Sequence, residues 1–164
     1  MKAPSLASAD ANAGHLSLSD LVETRTTGSF TEMVRGLSCS GRPIMLSRKS
    51  HSDGLSTGIW HGVPSRVEFN LAGGDWRRLK GTVGVQIDQP DKNAPGAKND
   101  SSVAFIVLGD GKELFRSKPV LCDSPAQQLD VDVAGVKTLT LEIFSDQRFP
   151  DGSNANWADI RLEK

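Results

Sequence analysis

The sequence predicts an all-β domain of the β-sandwich class, and three observations support this prediction. Apolar and polar residues alternate with a period of two in several segments, as expected for strands with one buried face. Glycine and proline (Gly 16, Pro 8) interrupt these segments repeatedly, and such residues mark turns. No strands alternate with long amphipathic helices, which disfavours a parallel α/β fold.

The clearest strand covers residues 65–71, where Val67, Phe69 and Leu71 share one face and polar residues occupy the other. Residues 72–75 (AGGD) supply a turn. A second segment whose apolar residues alternate with a period of two follows at 79–87. We expect these two strands to form an antiparallel pair.

The remaining predicted strands lie further along the chain. Residues 102–108 are apolar on both faces, as in a central strand, and Gly109–Lys112 indicates a hairpin because Asp-Gly tolerates positive φ. Further strands are predicted at 113–116, 128–133, 137–145 and 157–163, with Ala134-Gly135 as a turn. Residues 18–22 predict only a helical turn.

The chain divides into a short leader and one domain. Residues 1–14 lack periodicity and predict a flexible leader or linker, and residues 15–164 predict one sandwich domain. Two polar stretches, 89–100 and 146–156, interrupt the strands. Long loops in compact domains are often functional, so the two would frame a site if they lie at the same end.

Charge and cysteine usage exclude several functions. With 19 basic and 20 acidic residues the net charge is −1, which argues against nucleic-acid binding and a polybasic membrane anchor. No apolar run is long enough for membrane insertion. Cys39 and Cys122 have no zinc-binding spacing; they could form a disulfide, but two unpaired thiols are the favoured interpretation.

No catalytic constellation is present, and the prediction is that the domain is not an enzyme. The sequence has no phosphate loop, no GxSxG and no HExxH. The three histidines (His15, His51 and His61) lie in separate segments without metal-ligand spacing, as expected of surface or strand-end residues.

Binding has better support, because Trp60 and His61 lie in a glycine-bracketed segment before a strand. A loop tryptophan can stack on the apolar face of a sugar while polar neighbours bind its hydroxyls. The alternative is that Trp60 closes the end of the sandwich. Packing in the core is the expected role of Trp76 and Trp157.

Six stretches together resemble a known family in their order along the chain. Residues 102–112 (SVAFIVLGDGK) match the pattern G-S-V-x-F-x-V-x-G-D-G-K, and residues 154–159 (NANWAD) resemble H-A-D-W-A-D. The others are residues 41–46 with 54–55, then 64–71, 79–85 and 129–141. In these stretches the chain resembles the NPCBM domain, or carbohydrate-binding module family 51.

This resemblance implies a galactose-binding-like jelly-roll sandwich, usually appended to a glycoside hydrolase, whose loops bind terminal sugars. It also implies a possible structural calcium ion, for which Asp20 and Asp159 are the candidate ligands because the first and last strands are neighbours in such folds.

The departures from the family fall where binding residues are expected. Gly62 replaces a histidine, and a four-residue insertion adds Trp60 and His61 just before it. The family's D-D becomes Gln86-Ile87-Asp88, and residues 153–157 (SNANW) lack a histidine and two acids.

The sequence therefore predicts a non-catalytic carbohydrate-binding module that recognises terminal galactose-type or related sugars for a parent enzyme in cis. The candidate ligand-binding residues are Trp60, His61, Arg148, Asn154 and Asn156. The alternative is a structural or protein-interaction domain that has lost sugar binding. An extracellular or periplasmic location is expected if the parent protein is secreted.

Overall fold

The computed structural model describes residues 14–88, 101–122, 124–149 and 152–164. Two short 3-10 helices, Leu18–Asp20 and Gly28–Glu32, lie among the strands. In chain order the strands are β1 (His15–Ser17), β2 (Arg25–Thr27), β3 (Val34–Arg35), β4 (Ile44–Leu46), β5 (Lys49–His51), β6 (Gly54–Gly58), β7 (Ser65–Asn70), β8 (Arg78–Ile87), β9 (Ser102–Gly109), β10 (Lys112–Arg116), β11 (Val120–Leu121), β12 (Gln127–Asp132), β13 (Thr138–Phe144) and β14 (Ser153–Glu163).

The strands form two main antiparallel sheets, as the predicted jelly-roll sandwich requires. The first sheet has the order β12-β8-β14-β6-β3, with β1 also pairing with β14. The second has the order β10-β9-β13-β7-β2, with β11 also pairing with β9. A separate hairpin, β4–β5, packs Ile44 and Leu46 against Ala158 on the outer face of the first sheet.

The core lies between the two sheets and draws on both. β7 contributes Val67 and Phe69, with Leu71 just after it, while β14 contributes Trp157 from the opposite sheet. The Trp157 ring meets the edge of the Phe105 ring with 5.1 Å between centroids and an interplanar angle of 73°. Each large apolar side chain contributes about 1.5–3 kcal/mol by burial, so this layer holds the sheets together.

One predicted strand pair is wrong. β7 and β8 lie in different sheets: β7 pairs with β13 and β2, whereas β8 pairs with β12 and β14. Alternation specifies which face of a strand is buried and does not specify its partner. The connection between the strands instead crosses the sandwich, and it buries Trp76 to 5% exposure, as expected for a packing residue.

Several local predictions are confirmed. β9 pairs on both sides, with β13 on one and with β10 and β11 on the other. Asp110 and Gly111 turn that hairpin with φ of 49° and 81°, and a 3-10 turn occupies Leu18–Asp20.

β14 begins earlier than predicted and contains a bulge. It starts at Ser153, so Trp157 lies inside the strand rather than at its start. The pairing register with β8 shifts between Ala158 and Arg161, and Asp159 has a φ of 50°. Because the bulge adds one residue, the side chain of Ile160 packs in the core, as that of Trp157 does.

Neither the predicted leader nor the 89–100 loop can be compared with the structure, because residues 1–13 and 89–100 lie outside the described residues. In the part that is described, no helix is long and apolar enough to span a membrane.

Because Phe105 and Trp157 join the two sheets, Phe105→Ala is expected to lower the free energy of unfolding by about 3–5 kcal/mol through loss of buried area and a residual cavity. Val22→Ala is the control, since Val22 is 54% exposed and should change stability by less than about 0.5 kcal/mol. Urea denaturation measures both; a similar small effect for the two variants would contradict the assigned core.

Candidate functional site

A cleft of about 430 Å³ lies at one end of the sandwich, between the segment after β6 and the segment before β14. It is lined on one side by Trp60, His61 and Val63, and on the other by Arg148 and Phe149. The structure therefore brings together three of the five predicted ligand-binding residues from segments far apart in the sequence.

The apolar part of the cleft contains two exposed side chains. Trp60 is 47% exposed and Val63 is 48% exposed, whereas Phe149 beneath them is buried at 5%. An indole exposed to this extent does not close the end of the sandwich, which was the alternative interpretation of Trp60. It offers a flat apolar face beside the imidazole of His61 and the guanidinium of Arg148.

Backbone contacts hold the two walls in place. His61 and Ser145 form an isolated parallel bridge, and the Gly62 amide donates to the Ser145 carbonyl at 2.7 Å. Ser101 Oγ donates to the Arg148 carbonyl at 2.8 Å. Because these bonds use the main chain, the Trp60 and His61 side chains are positioned without taking part in them.

The two predicted asparagines do not line this cleft. Asn154 and Asn156 are strand residues of β14, 2% and 0% exposed. Asn156 Nδ2 lies 3.4 Å from Gln86 Oε1, on the covered outer face of the first sheet. A direct contact of either side chain with a ligand stays a prediction, and it would require this face to be uncovered.

Asn154 instead belongs to a buried hydrogen-bond network around Asp88. The sequence analysis names Asp88 only as part of a departure from the family pattern. Asp88 is 7% exposed, and its carboxylate accepts hydrogen bonds from Ser38 Oγ at 2.5 Å, Gln86 Nε2 at 2.6 Å and Asn154 Nδ2 at 3.0 Å. Asn154 Nδ2 also donates to the Gly152 carbonyl at 3.1 Å. Since Gly152 lines the cleft, this network positions one of its walls.

The two predicted calcium ligands line a different cavity, of about 490 Å³, together with Asp53. Neighbouring side chains already contact carboxylate oxygens of Asp53 and Asp159. Asp53 accepts from the Ser17 and Ser19 hydroxyls, and Asp159 Oδ2 lies 2.6 Å from His51 Nδ1. Asp20 and Asp159 thus share a cavity, as adjacent first and last strands predict.

Calcium usually takes six to eight oxygen ligands. No group of three or more His, Cys, Asp or Glu side chains suited to a metal occurs among residues 14–88, 101–122, 124–149 and 152–164. Calcium binding at Asp20 and Asp159 therefore stays a prediction.

His51 was expected to be a surface or strand-end residue, and it is the second of these. It ends β5, as a strand-end residue, but it is 5% exposed and contacts the Asp159 carboxylate. The β-bulge that gives Asp159 its positive φ also brings its carboxylate to the β4–β5 hairpin. A bulge is not visible in a two-residue periodicity, so no sequence pattern indicated this pair.

No disulfide joins Cys39 and Cys122, in agreement with the favoured interpretation. Desolvation by burial raises the pKa of the Cys39 thiol, even though a hydrogen bond with Ser56 and the residue's own backbone contact act in the opposite direction. Cys39 is therefore mainly protonated at neutral pH.

Comparison with solved structures defines the class of fold. The CBM51 domain from Clostridium perfringens GH95, solved in complex with methyl-galactose, is 24% identical with a TM-score of 0.72, and the match covers 90% of this chain and 99% of that one. The CBM51-2 and INT domains from Clostridium perfringens ZmpB, solved with GlcNAc, are 24% identical with a TM-score of 0.73, over 92% of this chain and 31% of that one.

The tandem CBM51 modules of Sp3GH98, a family 98 glycoside hydrolase from Streptococcus pneumoniae, are 19% identical with a TM-score of 0.73, over 92% of this chain and 47% of that one. These structures establish a shared β-sandwich fold. No curated protein sequence matches the chain.

The family model of the NPCBM/NEW2 domain matches residues 14–163. The chain therefore belongs to the NPCBM/NEW2 family, as the sequence motifs indicate.

The buried network generates a prediction for Asn154→Asp. This change replaces the amide donor 3.0 Å from Asp88 with a second carboxylate of nearly the same shape. Burying two like charges without a cation should lower the free energy of unfolding by about 2–5 kcal/mol at pH 7, as measured by urea denaturation.

Asn70→Asp is the matched control, because Asn70 is exposed and uses only its Oδ1 to accept from the Ala72 amide. It should change stability by less than about 0.5 kcal/mol. Equal effects of the two substitutions would show that Asn154 is not a donor to a buried carboxylate.

Proposed function

We propose that this domain is a non-catalytic carbohydrate-binding module that holds a terminal sugar in the cleft between Trp60 and Arg148. The observation that supports this most directly is the exposed indole of Trp60, 47% accessible, in a cleft with His61 and Arg148. Membership of the NPCBM/NEW2 family and the shared fold of CBM51 domains support the same function.

The proposed binding mode follows from the two kinds of surface on a pyranose. Its axial C–H groups form an apolar face, which would stack on the Trp60 ring beside Val63. Its hydroxyls donate and accept hydrogen bonds, for which His61 and Arg148 supply nitrogen atoms. Because hydrogen bonds from the Gly62 amide to the Ser145 carbonyl and from Ser101 Oγ to the Arg148 carbonyl fix the walls, binding would cost little ordering of the protein.

The proposed ligand is a terminal galactose or a related sugar. In its favour, one CBM51 domain of similar fold was solved with methyl-galactose and another with GlcNAc. The cleft is open and its volume of about 430 Å³ fits one or two sugar rings. Such a site buries little area, so we expect weak binding unless several modules act together.

We further propose that the domain acts in cis with a catalytic domain. Supporting this, a ZmpB structure contains the M60 catalytic domain together with CBM51-1 and CBM51-2, of which this chain matches 15% of the length. The module would keep the catalytic domain close to a glycan without taking part in the reaction.

Trp60→Ala should weaken binding to the preferred sugar by at least about tenfold, or about 1.4 kcal/mol, because the variant lacks the stacking surface. A glycan array run on the wild-type domain first identifies the sugar, and isothermal titration with that sugar then gives both affinities. Val22→Ala is the control, because Val22 is exposed and does not line this cleft. This variant should bind the sugar normally.

A wild-type domain that is folded but binds no glycan would contradict the proposed function and favour the structural or protein-interaction alternative. Unchanged affinity of Trp60→Ala for a glycan that the wild type binds would retain the function and reject this cleft.

A further inference from the structure

A second and larger cleft, of about 810 Å³, lies on the outer face of the first sheet. One wall is the β4–β5 hairpin, including Arg48, with Arg42 before it, and the other contains Ser124 and Pro125. Its floor is the end of β8 near Gln86. None of the described residues that line it also lines the Trp60 cleft.

Arg42 and Arg48 are exposed, and neither guanidinium has an ion pair or a side-chain hydrogen bond within the described residues. Many other arginines in this chain face a carboxylate: Arg35, Arg66, Arg78, Arg116 and Arg161. Two arginines without a carboxylate in one concave surface provide ten N–H donors, five on each, for a ligand.

Among the described residues that line this cleft there is one acid, and its carboxylate is already hydrogen-bonded. Asp88 is 7% exposed, and both its oxygens accept hydrogen bonds from the neutral groups of Ser38, Gln86 and Asn154. Two arginines against one aspartate give the described part of the lining a formal charge of +1. The exposed part of this charge is positive, because the arginines are accessible and the carboxylate is not.

The backbone that presents Arg48 has an unusual conformation. Ser47 and Arg48 form the turn of the hairpin with φ of 49° and 65°, a region that residues other than glycine and asparagine seldom occupy. The Ala126 amide donates to Ser47 Oγ at 2.8 Å and so ties the turn to the opposite wall. Such conformations persist where the surroundings hold them, and they cluster at functional sites.

The rest of the lining suits a ring with polar substituents. Met45 is 42% exposed and, with Pro43 and Pro125, supplies apolar surface. Ser124 supplies a hydroxyl. No aromatic residue is among the described residues that line the cleft, so the guanidinium groups, rather than stacking, would determine which ligand binds.

We propose that this cleft is a second binding site, specific for an acidic saccharide whose carboxylate or sulfate group is held by Arg42 and Arg48. Guanidinium pairs with planar or tetrahedral oxyanions in bidentate geometry. The choice of a saccharide rather than another acid rests on the proposed function, whereas the oxyanion site does not. A module with both clefts would bind a neutral terminal sugar and an acidic residue at separate places.

The test is an NMR titration of the ¹⁵N-labelled full chain with tetragalacturonic acid, galactose 6-sulfate and neutral galactotetraose. We expect one or both acidic probes to shift the amides of Ser47 and Ser124, with at least tenfold tighter binding than the neutral tetramer at these positions. The carboxylate and sulfate probes distinguish the two oxyanions. Raising the salt concentration from 50 to 500 mM should weaken binding several-fold.

The double variant Arg42→Gln/Arg48→Gln should lower the affinity for the acidic probe at least tenfold. Arg77→Gln is the matched control, because Arg77 is also exposed and lies outside the cleft, and it should change the affinity less than twofold. Trp60→Ala should leave the shifts of Ser47 and Ser124 intact, which separates this proposal from failure of the Trp60 cleft.

Three results would overturn the proposal: no shift at Ser47 or Ser124 with either acidic probe, equal binding of the neutral tetramer there, or full affinity in the double variant. Hexaglutamate is the remaining probe. If it binds as tightly as tetragalacturonic acid, the site takes acidic peptide and the assignment to a saccharide is wrong.

Discussion

The structure depends on β14, whose two faces serve different purposes. Its inward face carries Trp157, fully buried against Phe105 of the opposite sheet, and so joins the two layers of the sandwich. Its outward face carries Asn154 and Asn156, which are covered and hydrogen-bonded. Because β14 pairs with β8, β6 and β1, a single strand fixes the core, the first sheet and the covered polar layer at once.

The polar layer links this scaffold to both clefts. Asp88 accepts from Asn154, and Asn154 also binds the carbonyl of Gly152 on the wall of the Trp60 cleft. Asp88 and Gln86 line the second cleft, where Gln86 Nε2 donates to Asp88 and to the Pro43 carbonyl. A buried carboxylate is stable here because neutral donors satisfy it, and the same donors orient the surfaces on either side.

The sequence was sufficient for the fold class and for three residues of the Trp60 cleft, namely Trp60, His61 and Arg148, and the physical reasons are specific. Alternation in residues 65–71 and the Asp110-Gly111 turn are local properties, and both were predicted correctly. Pairing of β7 with β13 is non-local, and periodicity contains no information about it. Trp60 was identified because a loop tryptophan is conspicuous, but the burial of Asn154 depends on a covering segment more than a hundred residues earlier. The bulge at Asp159 likewise leaves no trace in composition.

The central claim, that Trp60 forms the surface for sugar, is tested most directly by the three indole N–H resonances of the ¹⁵N-labelled domain. Trp76 Nε1 and Trp157 Nε1 are buried, whereas Trp60 is 47% exposed. Titration with methyl-galactose, or with the best glycan from an array, should shift the Trp60 indole resonance progressively and leave the other two in place. A titration in which a binding glycan shifts the Trp76 or Trp157 indole but not that of Trp60 would contradict the account.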